Sequence, residues 1–232
     1  MLIPNDFHAL VIGATGALGS AFSKHLQLDP RCQSLTELSR KSHPGFELGS
    51  PDAFADIAQS LKPPDALSLV VDASGALSFL GRGPEKSLRA LEPAQLRLAM
   101  DVNAIGPILL IRALMPLLKQ RGPMLYIKLS ARVGSISDNQ KGGWYGYRAS
   151  KAALNMMLQC TALEWQRTNP QAQVIALQPG TVRSRLSMDF VQSMPTVLSA
   201  DESVQNSLLA LEKLQAQAGA QFIDFRGESI PW

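Results

Sequence analysis

The residues with the clearest chemical potential are a tyrosine and a lysine near the start of a long helical segment. Tyr147 and Lys151 are four residues apart in the stretch Trp-Tyr-Gly-Tyr-Arg-Ala-Ser-Lys. Positions four apart lie on one face of a helix, so the Lys151 ammonium should lie near the Tyr147 phenol. A nearby cation lowers the pKa of a phenol from its usual value of about 10. We therefore expect Tyr147 to act as a general acid or base, although such a pair by itself also fits a surface contact.

Three glycines follow the first apolar segment. Phe7–Ile12 is a predicted strand, and the helical segment Ser20–Leu28 comes shortly after it. Glycines at such a turn let the backbone approach a pyrophosphate, and the helix N-terminus offers free N–H groups. A plain strand–helix turn is the alternative, but the position in the chain favours a dinucleotide site. The predicted cofactor-binding residues of this loop are Gly13, Thr15, Gly16, Ala17, Leu18 and Gly19.

The end of the second predicted strand, Ser34–Leu38, should meet the adenosine ribose. A carboxylate there suits NAD, whereas a basic residue suits the 2′-phosphate of NADP. The strand is followed by Ser39, Arg40 and Lys41, and Glu37 falls inside the strand. Either the two basic residues are simply solvated or Arg40 binds the phosphate. We expect NADP to be preferred over NAD.

Asn103 is a polar residue on an apolar helical stripe. The stripe recurs at three- and four-residue steps: Leu96, Met100, Asn103, Pro107, Leu110 and Leu114. A buried amide there needs hydrogen-bond partners. It makes either a structural contact beside Gly106-Pro107 or a water-mediated link to Lys151.

Predicted strands alternate with predicted helices along the whole chain. This alternation indicates an α/β fold, a doubly wound parallel sheet of the Rossmann type, in a single domain over residues 1–232. The remaining predicted strands are Leu67–Val71, Met124–Leu129, Gln173–Leu177 and Gln221–Phe225. The remaining predicted helices are Pro51–Leu61, one starting at Pro93, one containing Tyr147, and Asp201–Ala216 with Asp201 as its N-cap.

Composition restricts the class of protein. The 232 residues have a formal net charge of +3 without a long basic run, so neither a nucleic-acid partner nor a membrane surface is expected. Cys32 and Cys160 show no metal-ligand spacing, so no metal is expected. The N-terminus lacks the features of a signal peptide, and we expect a cytoplasmic protein. Val102–Leu118 is apolar but contains Arg112 and two prolines, which favours a core helix.

These motifs together resemble the short-chain dehydrogenase/reductase family over almost the whole chain. The resemblance rests on Gly13–Gly19, Asp72-Ala-Ser-Gly75 in an altered form, Asn103, Tyr147 with Lys151, and Pro179-Gly180. The string from Gly134 to Asn155 is similar to the branch of C-factor-like and sniffer-like carbonyl reductases.

The resemblance implies hydride transfer between NADPH and a small carbonyl or alcohol substrate. Tyr147 would protonate the carbonyl oxygen, Lys151 would hold the nicotinamide ribose, and Asn103 would position a water. Further cofactor contacts are implied for Ala73, Ser74, Gly75, Pro179, Gly180 and Val182.

Two departures from the family pattern stand out. The glycines are spaced Gly-x-x-Gly-x-x-Gly, where many members have Gly-x-x-x-Gly-x-Gly. Ala131 occupies the position of the family's catalytic serine, so Ser130, which we favour, or Ser135 would replace it. The alternative interpretation is a nucleotide-binding signalling or sensor protein with vestigial activity.

Two further expectations concern the substrate and the assembly. Thr181–Ala200 should cover the active site with an apolar lining: Met188, Phe190, Val191, Met194, Val197 and Leu198. We expect a homodimer or homotetramer formed through the helices Leu96–Leu118 and Ala152–Leu163. The second is apolar in near-continuous order, more than one buried face explains, and the family resemblance implies the same two helices.

Overall fold

A six-stranded parallel sheet in the order β2-β1-β3-β4-β5-β6 forms the centre of the molecule. The computed structural model describes residues 2–184 and 197–232. The strands are β1 Phe7–Ile12, β2 Cys32–Leu38, β3 Leu69–Asp72, β4 Met124–Leu129, β5 Ala172–Gln178 and β6 Gln221–Asp224. The described α-helices are α1 Ala17–Leu28, α2 Phe54–Leu61, α3 Pro93–Met100, α4 Gly106–Leu114, α5 Tyr145–Thr168 and α6 Ala200–Lys213. The predicted doubly wound parallel sheet is therefore confirmed.

Apolar residues on both faces of the sheet make two hydrophobic clusters. Along β1, Leu10 and Ile12 belong to the cluster that includes side chains of α2, α4 and α5. Ala9 and Val11 belong to the opposite cluster, beneath α1 and α6. A strand that is buried on both faces has a continuous apolar sequence, which explains why β1 and β4 were predictable to the residue.

The predicted N-cap of α6 is wrong. Ser199 is the N-cap, because its hydroxyl accepts a hydrogen bond from the Glu202 amide at 3.1 Å. The Glu202 carboxylate in turn accepts from the Ser199 amide at 2.8 Å, which completes a capping box. Asp201 lies inside the helix and pairs with Lys24 of α1 at 3.0 Å.

The run from α3 to α4 contains a π-helical turn, Asp101–Ile105. By length and composition, Pro93–Leu117 could cross a membrane, with a mean hydropathy of 1.6, but core helices meet the same criteria. Leu110 and Leu114 are fully buried in the core cluster, as expected of a core helix.

The order of the strands places a crevice at the carboxyl edge of the sheet. β1 lies between β2 and β3. The chain therefore adds β2 on one side of β1 and adds β3 and all later strands on the other side. Doubly wound sheets bind ligands at this switch point. Ile12 pairs with Asp72, and Asp72 pairs with Lys128, so the loops after β1, β3 and β4 begin side by side.

Candidate active site

Tyr147 and Lys151 lie in the first two turns of α5, as the spacing predicted. The Lys151 Nζ is 5.8 Å from the centre of the Tyr147 ring. Lys151 is only 4% exposed, and its Nζ donates a hydrogen bond to the Leu129 carbonyl oxygen at the end of β4, at 3.2 Å. The lysine therefore connects α5 to the carboxyl edge of the sheet.

The predicted lowering of the Tyr147 pKa is wrong for this structure. Burial of the phenol raises the pKa of Tyr147 to about 12, although part of the side-chain surface remains accessible. Burial also lowers the pKa of Lys151 to about 7; the nearby charge of Lys128 lowers it further, while Asp72 opposes the shift. At neutral pH the Lys151 ammonium is therefore only partly populated, and desolvation of the phenol outweighs its effect.

Asn103 joins the same site through the π-helical turn. Its Oδ1 accepts from the Ala76 amide at 2.9 Å, and its Nδ2 donates to the Ala76 carbonyl oxygen at 2.8 Å. The Nδ2 also lies 3.3 Å from the Ser150 hydroxyl on α5. A Cβ at Gly75 would lie 3.2 Å from Asn103 Oδ1 and 3.6 Å from Lys151 Nζ, so both side chains closely flank Gly75. Asn103 therefore makes the structural polar contacts that were one of its two predicted roles. The water-mediated link to Lys151 stays a prediction.

A buried ion pair next to these residues was missed in the sequence. Lys128 of β4 contacts Asp72 of β3 at 2.9 Å, and both side chains are almost completely buried. The Lys128 Nζ also donates to the Ser74 carbonyl oxygen at 2.7 Å, while the Ser74 amide and hydroxyl donate to Asp72 Oδ1. The pair therefore holds the Ala73–Gly75 loop in place. The sequence feature that could have revealed the pair is the lysine inside the apolar strand Met124–Leu129.

The two serines that could replace the missing one are both hydrogen-bonded within the protein. Ser130 is 5% exposed, and its hydroxyl donates to Asn155 Oδ1 on α5 at 2.6 Å. The Ser135 hydroxyl accepts from the Asp138 amide at 3.1 Å. Both hydroxyls thus have partners on the protein, and the assignment of Ser130 as the carbonyl-binding group stays a prediction.

The glycine loop after β1 has the geometry that a dinucleotide requires. Gly13 has a φ of +77°, and a Cβ there would lie 3.2 Å from the Ser74 amide nitrogen. A Cβ at Gly19 would lie 2.1 Å from the Gly13 carbonyl oxygen, so only glycine permits this helix start. The N-cap Gly16 provides no side chain for the first-turn amides, including those of Ala17 and Leu18. These features fit a pyrophosphate at the N-terminus of α1.

The strand end that should meet the ribose is basic and open. Arg40 follows β2 by two residues, and its side chain is 75% exposed, with Glu47 at 3.6 Å as its partner. Glu37 lies within β2, as predicted, and so is not the residue at the strand end.

The turn after β5 packs closely against Leu198 and against Phe225, the residue that follows β6. Gly180 has a φ of +82°, and a Cβ there would lie 2.9 Å from Leu198 Cδ1 and 3.1 Å from Phe225 Cδ1. The Pro179 carbonyl oxygen accepts from the Ser203 hydroxyl of α6 at 2.5 Å, and the buried Val182 forms a β-bridge with Leu198. Of the predicted apolar lining, Val197 and Leu198 are partly buried. The others lie outside the described residues: Met188, Phe190, Val191 and Met194.

Comparisons of the sequence with known proteins agree with this geometry. A family model described as short chain dehydrogenase matches residues 50–195. The C-signal protein of Myxococcus xanthus is 29% identical over 147 residues, which cover 63% of this chain and 84% of that protein. A 1-hydroxy-2-glutathionyl-2-methyl-3-butene dehydrogenase of Rhodococcus is 28% identical, over 59% of this chain and 58% of its own length. A short chain dehydrogenase of Penicillium aethiopicum is 27% identical over 88% of this chain and 86% of its length.

Solved structures share the fold over the full chain. The carbonyl reductase Sniffer of D. melanogaster superimposes with a TM-score of 0.82 at 22% identity, covering 98% of this chain and 100% of that one. The NADPH-bound carbonyl reductase from chicken fatty liver gives a TM-score of 0.83 at 22% identity, covering 100% and 96%. With the family match over residues 50–195, the parallel sheet and the Tyr147–Lys151 helix, the chain belongs to the short-chain dehydrogenase/reductase family of oxidoreductases.

Proposed function

We propose that this protein is an NADPH-dependent carbonyl reductase in which Tyr147 is the proton donor. The observation that carries the proposal is that Asn103 and Lys151 both flank Gly75 at the switch point of the sheet, with the centre of the Tyr147 ring 5.8 Å from Lys151 Nζ. These side chains come from two helices, and their meeting point adjoins the glycine loop after β1. A cofactor bound at the glycine loop and Tyr147 as proton donor would therefore lie at the same edge of the sheet.

In the proposed complex, residues from four loops of the chain would contact the cofactor. The first turn of α1 would bind the pyrophosphate, Ala73–Gly75 and Pro179–Val182 would border the nicotinamide half, and Arg40 would bind a 2′-phosphate. The bound nicotinamide supplies the hydride that reduces the carbonyl carbon. Lys151 would hold the adjacent ribose, because its buried Nζ lies beside Gly75.

The protonation states favour reduction. With a pKa of about 12, Tyr147 keeps its proton throughout the neutral range and can donate it to the substrate oxygen. Lys151, with a pKa of about 7, can exchange a proton near neutrality, so it could return one to Tyr147 through a water that Asn103 would position. Ser130 would donate a second hydrogen bond to the carbonyl oxygen after releasing Asn155.

A sensor protein with vestigial activity is the second candidate. It is favoured by Ala131 at the position of the family's serine and by the Ser130 hydroxyl already bonded to Asn155. One relative is named a C-signal, which is consistent with signalling use of this fold.

Turnover of NADPH with a panel of aldehydes, ketones and quinones separates the two candidates. We expect the wild-type protein to oxidise NADPH with at least one substrate and Tyr147→Phe to lose about 10²–10⁴ of that rate. The cofactor dissociation constant of Tyr147→Phe should stay within about twofold, because the ring remains. Cofactor binding without turnover on the whole panel would favour the sensor.

The cofactor preference has a separate test. NADPH should bind more tightly than NADH in a titration of tryptophan fluorescence. Arg40→Ala should weaken NADPH about tenfold or more and leave NADH unchanged, since a charge-assisted bond to phosphate is lost. Arg82→Ala is the matched control, because Arg82 also forms an exposed ion pair, 3.2 Å from Glu92. Equal weakening of both cofactors would contradict the role of Arg40.

We propose that the protein acts in the cytoplasm on a small carbonyl compound.

We also propose that it forms a homodimer or homotetramer, because apolar side chains remain exposed on its helices. Met156 and Leu163 of α5 are 64% and 45% exposed, and Ile105 and Met115 are also exposed. Leu154 and Leu158, by contrast, are fully buried in the core. The surface that we propose for assembly is therefore narrower than the sequence indicated, and it centres on the outward side of α5.

A further inference from the structure

The catalytic helix α5 begins without a cap from its own sequence. Its N-cap Trp144 has left-handed backbone angles, φ 53° and ψ 40°, and makes no side-chain cap hydrogen bond. The two preceding residues, Gly142 and Gly143, also have positive φ. No acidic residue lies in the first turn of α5. Its first amides must therefore find acceptors elsewhere.

Glu85, from the loop before α3, supplies two of these acceptors. Its carbonyl oxygen accepts from the Trp144 amide at 2.5 Å, and its Oε2 accepts from the Gly146 amide at 3.0 Å. Glu85 is only 4% exposed. A carboxylate is favourable at a helix N-terminus, where the free amides and the helix dipole are both positive.

The surroundings of Glu85 are built for this contact. A Cβ at Gly146 would lie 2.9 Å from Glu85 Oε1 and 3.2 Å from Leu96 Cδ2, so glycine allows the helix to approach. Gln95 of α3, itself 3% exposed, donates to the Gly83 carbonyl oxygen at 2.9 Å. The Gly83–Glu85 segment is thereby held on α3 and presented to the start of α5.

The Glu85 contact destabilises the protein more than a simple helix cap would. Glu85 Oε1 is buried and, within the part of the chain that the structure describes, has no hydrogen-bond partner. Burying a carboxylate with an unsatisfied oxygen destabilises a protein. Helix α6 is capped without a buried charge, by a capping box of Ser199 and Glu202 from its own sequence. The position of α5 therefore matters for more than its stability.

We propose that Glu85 is a positioning residue for catalysis, which sets where Tyr147 presents its phenol. Tyr147 follows Gly146 directly, and the Trp144 ring lies edge-on to the Tyr147 ring at 6.1 Å. Both backbone amides that Glu85 binds therefore lie within three residues before the proposed proton donor. A displacement of about 1 Å at a reacting group can cost about 10²-fold in rate. This inference rests on the proposed reductase function.

Three substitutions at Glu85 separate the contact from the charge. Glu85→Gln keeps the reach and an acceptor oxygen, Glu85→Asp keeps the charge but is one methylene too short, and Glu85→Ala removes both. We expect kcat to fall about tenfold or more in Glu85→Ala and Glu85→Asp, with KM and the NADPH dissociation constant within about twofold. Glu85→Gln should stay within about threefold of wild type. If Glu85→Ala does not fold, the comparison of Asp with Gln decides.

The control variant is Glu92→Ala. Glu92 lies in the same region, but its side chain is 53% exposed and pairs with Arg82 at 3.2 Å. Removing it should leave kcat unchanged. A folded Glu85→Ala with wild-type kcat and only a lower melting temperature would mean that Glu85 is purely structural. Glu85→Gln as slow as Glu85→Asp would also overturn the proposal.

Hydrogen exchange provides a readout that does not depend on turnover. In Glu85→Ala and Glu85→Asp, amide exchange should accelerate in the peptide covering residues 143–151 and stay unchanged in α1. If the wild-type protein shows no reductase activity, the proposed function fails, while exchange in this peptide still reports whether Glu85 holds the start of α5. Unchanged exchange in both variants would refute the contact itself.

Discussion

The buried pair of Asp72 and Lys128 predicts a large and asymmetric cost when one partner is removed. The two charges are 2.9 Å apart, and their side chains are 0% and 1% exposed. Burial lowers the pKa of Lys128, and the charge of Asp72 opposes that shift. Lys128→Met keeps the length of the side chain but leaves Asp72 as a buried charge without its cation.

The size of the effect follows from the geometry. At 2.9 Å and an effective dielectric constant of about 20, the attraction is about 6 kcal/mol. Desolvation of the two ions offsets several kcal/mol of this, so the pair adds little net stability. Removing Lys128 alone loses the attraction but keeps the desolvation of Asp72, which costs about 3–5 kcal/mol. For a chain of this size, the melting temperature should fall by about 6–20 °C.

Urea unfolding of four proteins tests this reasoning: wild type, Lys128→Met, Asp72→Asn and the double variant. The double variant should recover more than half of the stability lost in Lys128→Met, since no unpaired charge remains. Arg82→Ala, which breaks an exposed pair 3.2 Å long, is the control and should cost less than about 1 kcal/mol.

Cofactor binding should be weakened by the same substitution that lowers stability. Lys128 and Asp72 both bind Ser74, so losing Lys128 should weaken NADPH binding along with stability. The reasoning would be refuted by a Lys128→Met variant within about 1 kcal/mol of wild type, or by additive effects in the double variant.

Three further predictions follow from the site and its helix. In single-turnover reduction, Ser130→Ala should slow hydride transfer by about 10²-fold, the lower part of the range for a lost oxyanion donor. If Ser130→Ala is silent and Ala131→Ser speeds the reaction markedly, the protein lacks a serine donor. For pH dependence, the Lys151 pKa of about 7 in the folded state is below the unfolded value of about 10.4, so the unfolded chain binds more protons between these values. Stability should therefore rise with pH from about 7 to 10, at up to about 1.4 kcal/mol per unit, and Lys151→Met should lose that slope in urea titrations. An unchanged slope would place the titration on another group. Met156→Glu should convert an oligomer to monomers in sedimentation at micromolar concentration, because the 64% exposed Met156 lies on the proposed interface; a wild-type monomer would contradict the interface altogether.

Local sequence signals located much of the fold and the core of the candidate site. β1 and β4 were predictable because a doubly buried strand is uniformly apolar. The proximity of Tyr147 and Lys151 was predictable because residues four apart lie on the same face of a helix. The N-cap of α6 was missed although Ser199 and Glu202 show the capping-box spacing, since Asp201 is equally acceptable as a cap by residue type.

The protonation states could not be obtained from the sequence. The spacing of Tyr147 and Lys151 correctly brings a cation near a phenol, but the direction of the pKa shift depends on how much water reaches each group. Packing of α5 against the sheet removes that water, so the phenol pKa rises and the lysine pKa falls.

The sequence by itself determined the alternation of strands and helices, the glycine turn after β1, and the pairing of Tyr147 with Lys151, because each depends on residues close together in the chain. Only the tertiary structure decided that Lys128 meets Asp72 and that Glu85 caps α5. These partners are separated by 56 and 61 residues, and neither lysine nor glutamate reveals in the sequence which buried group will satisfy it. A buried charge must find its partner across the sheet or between helices, and the packed fold alone sets that encounter.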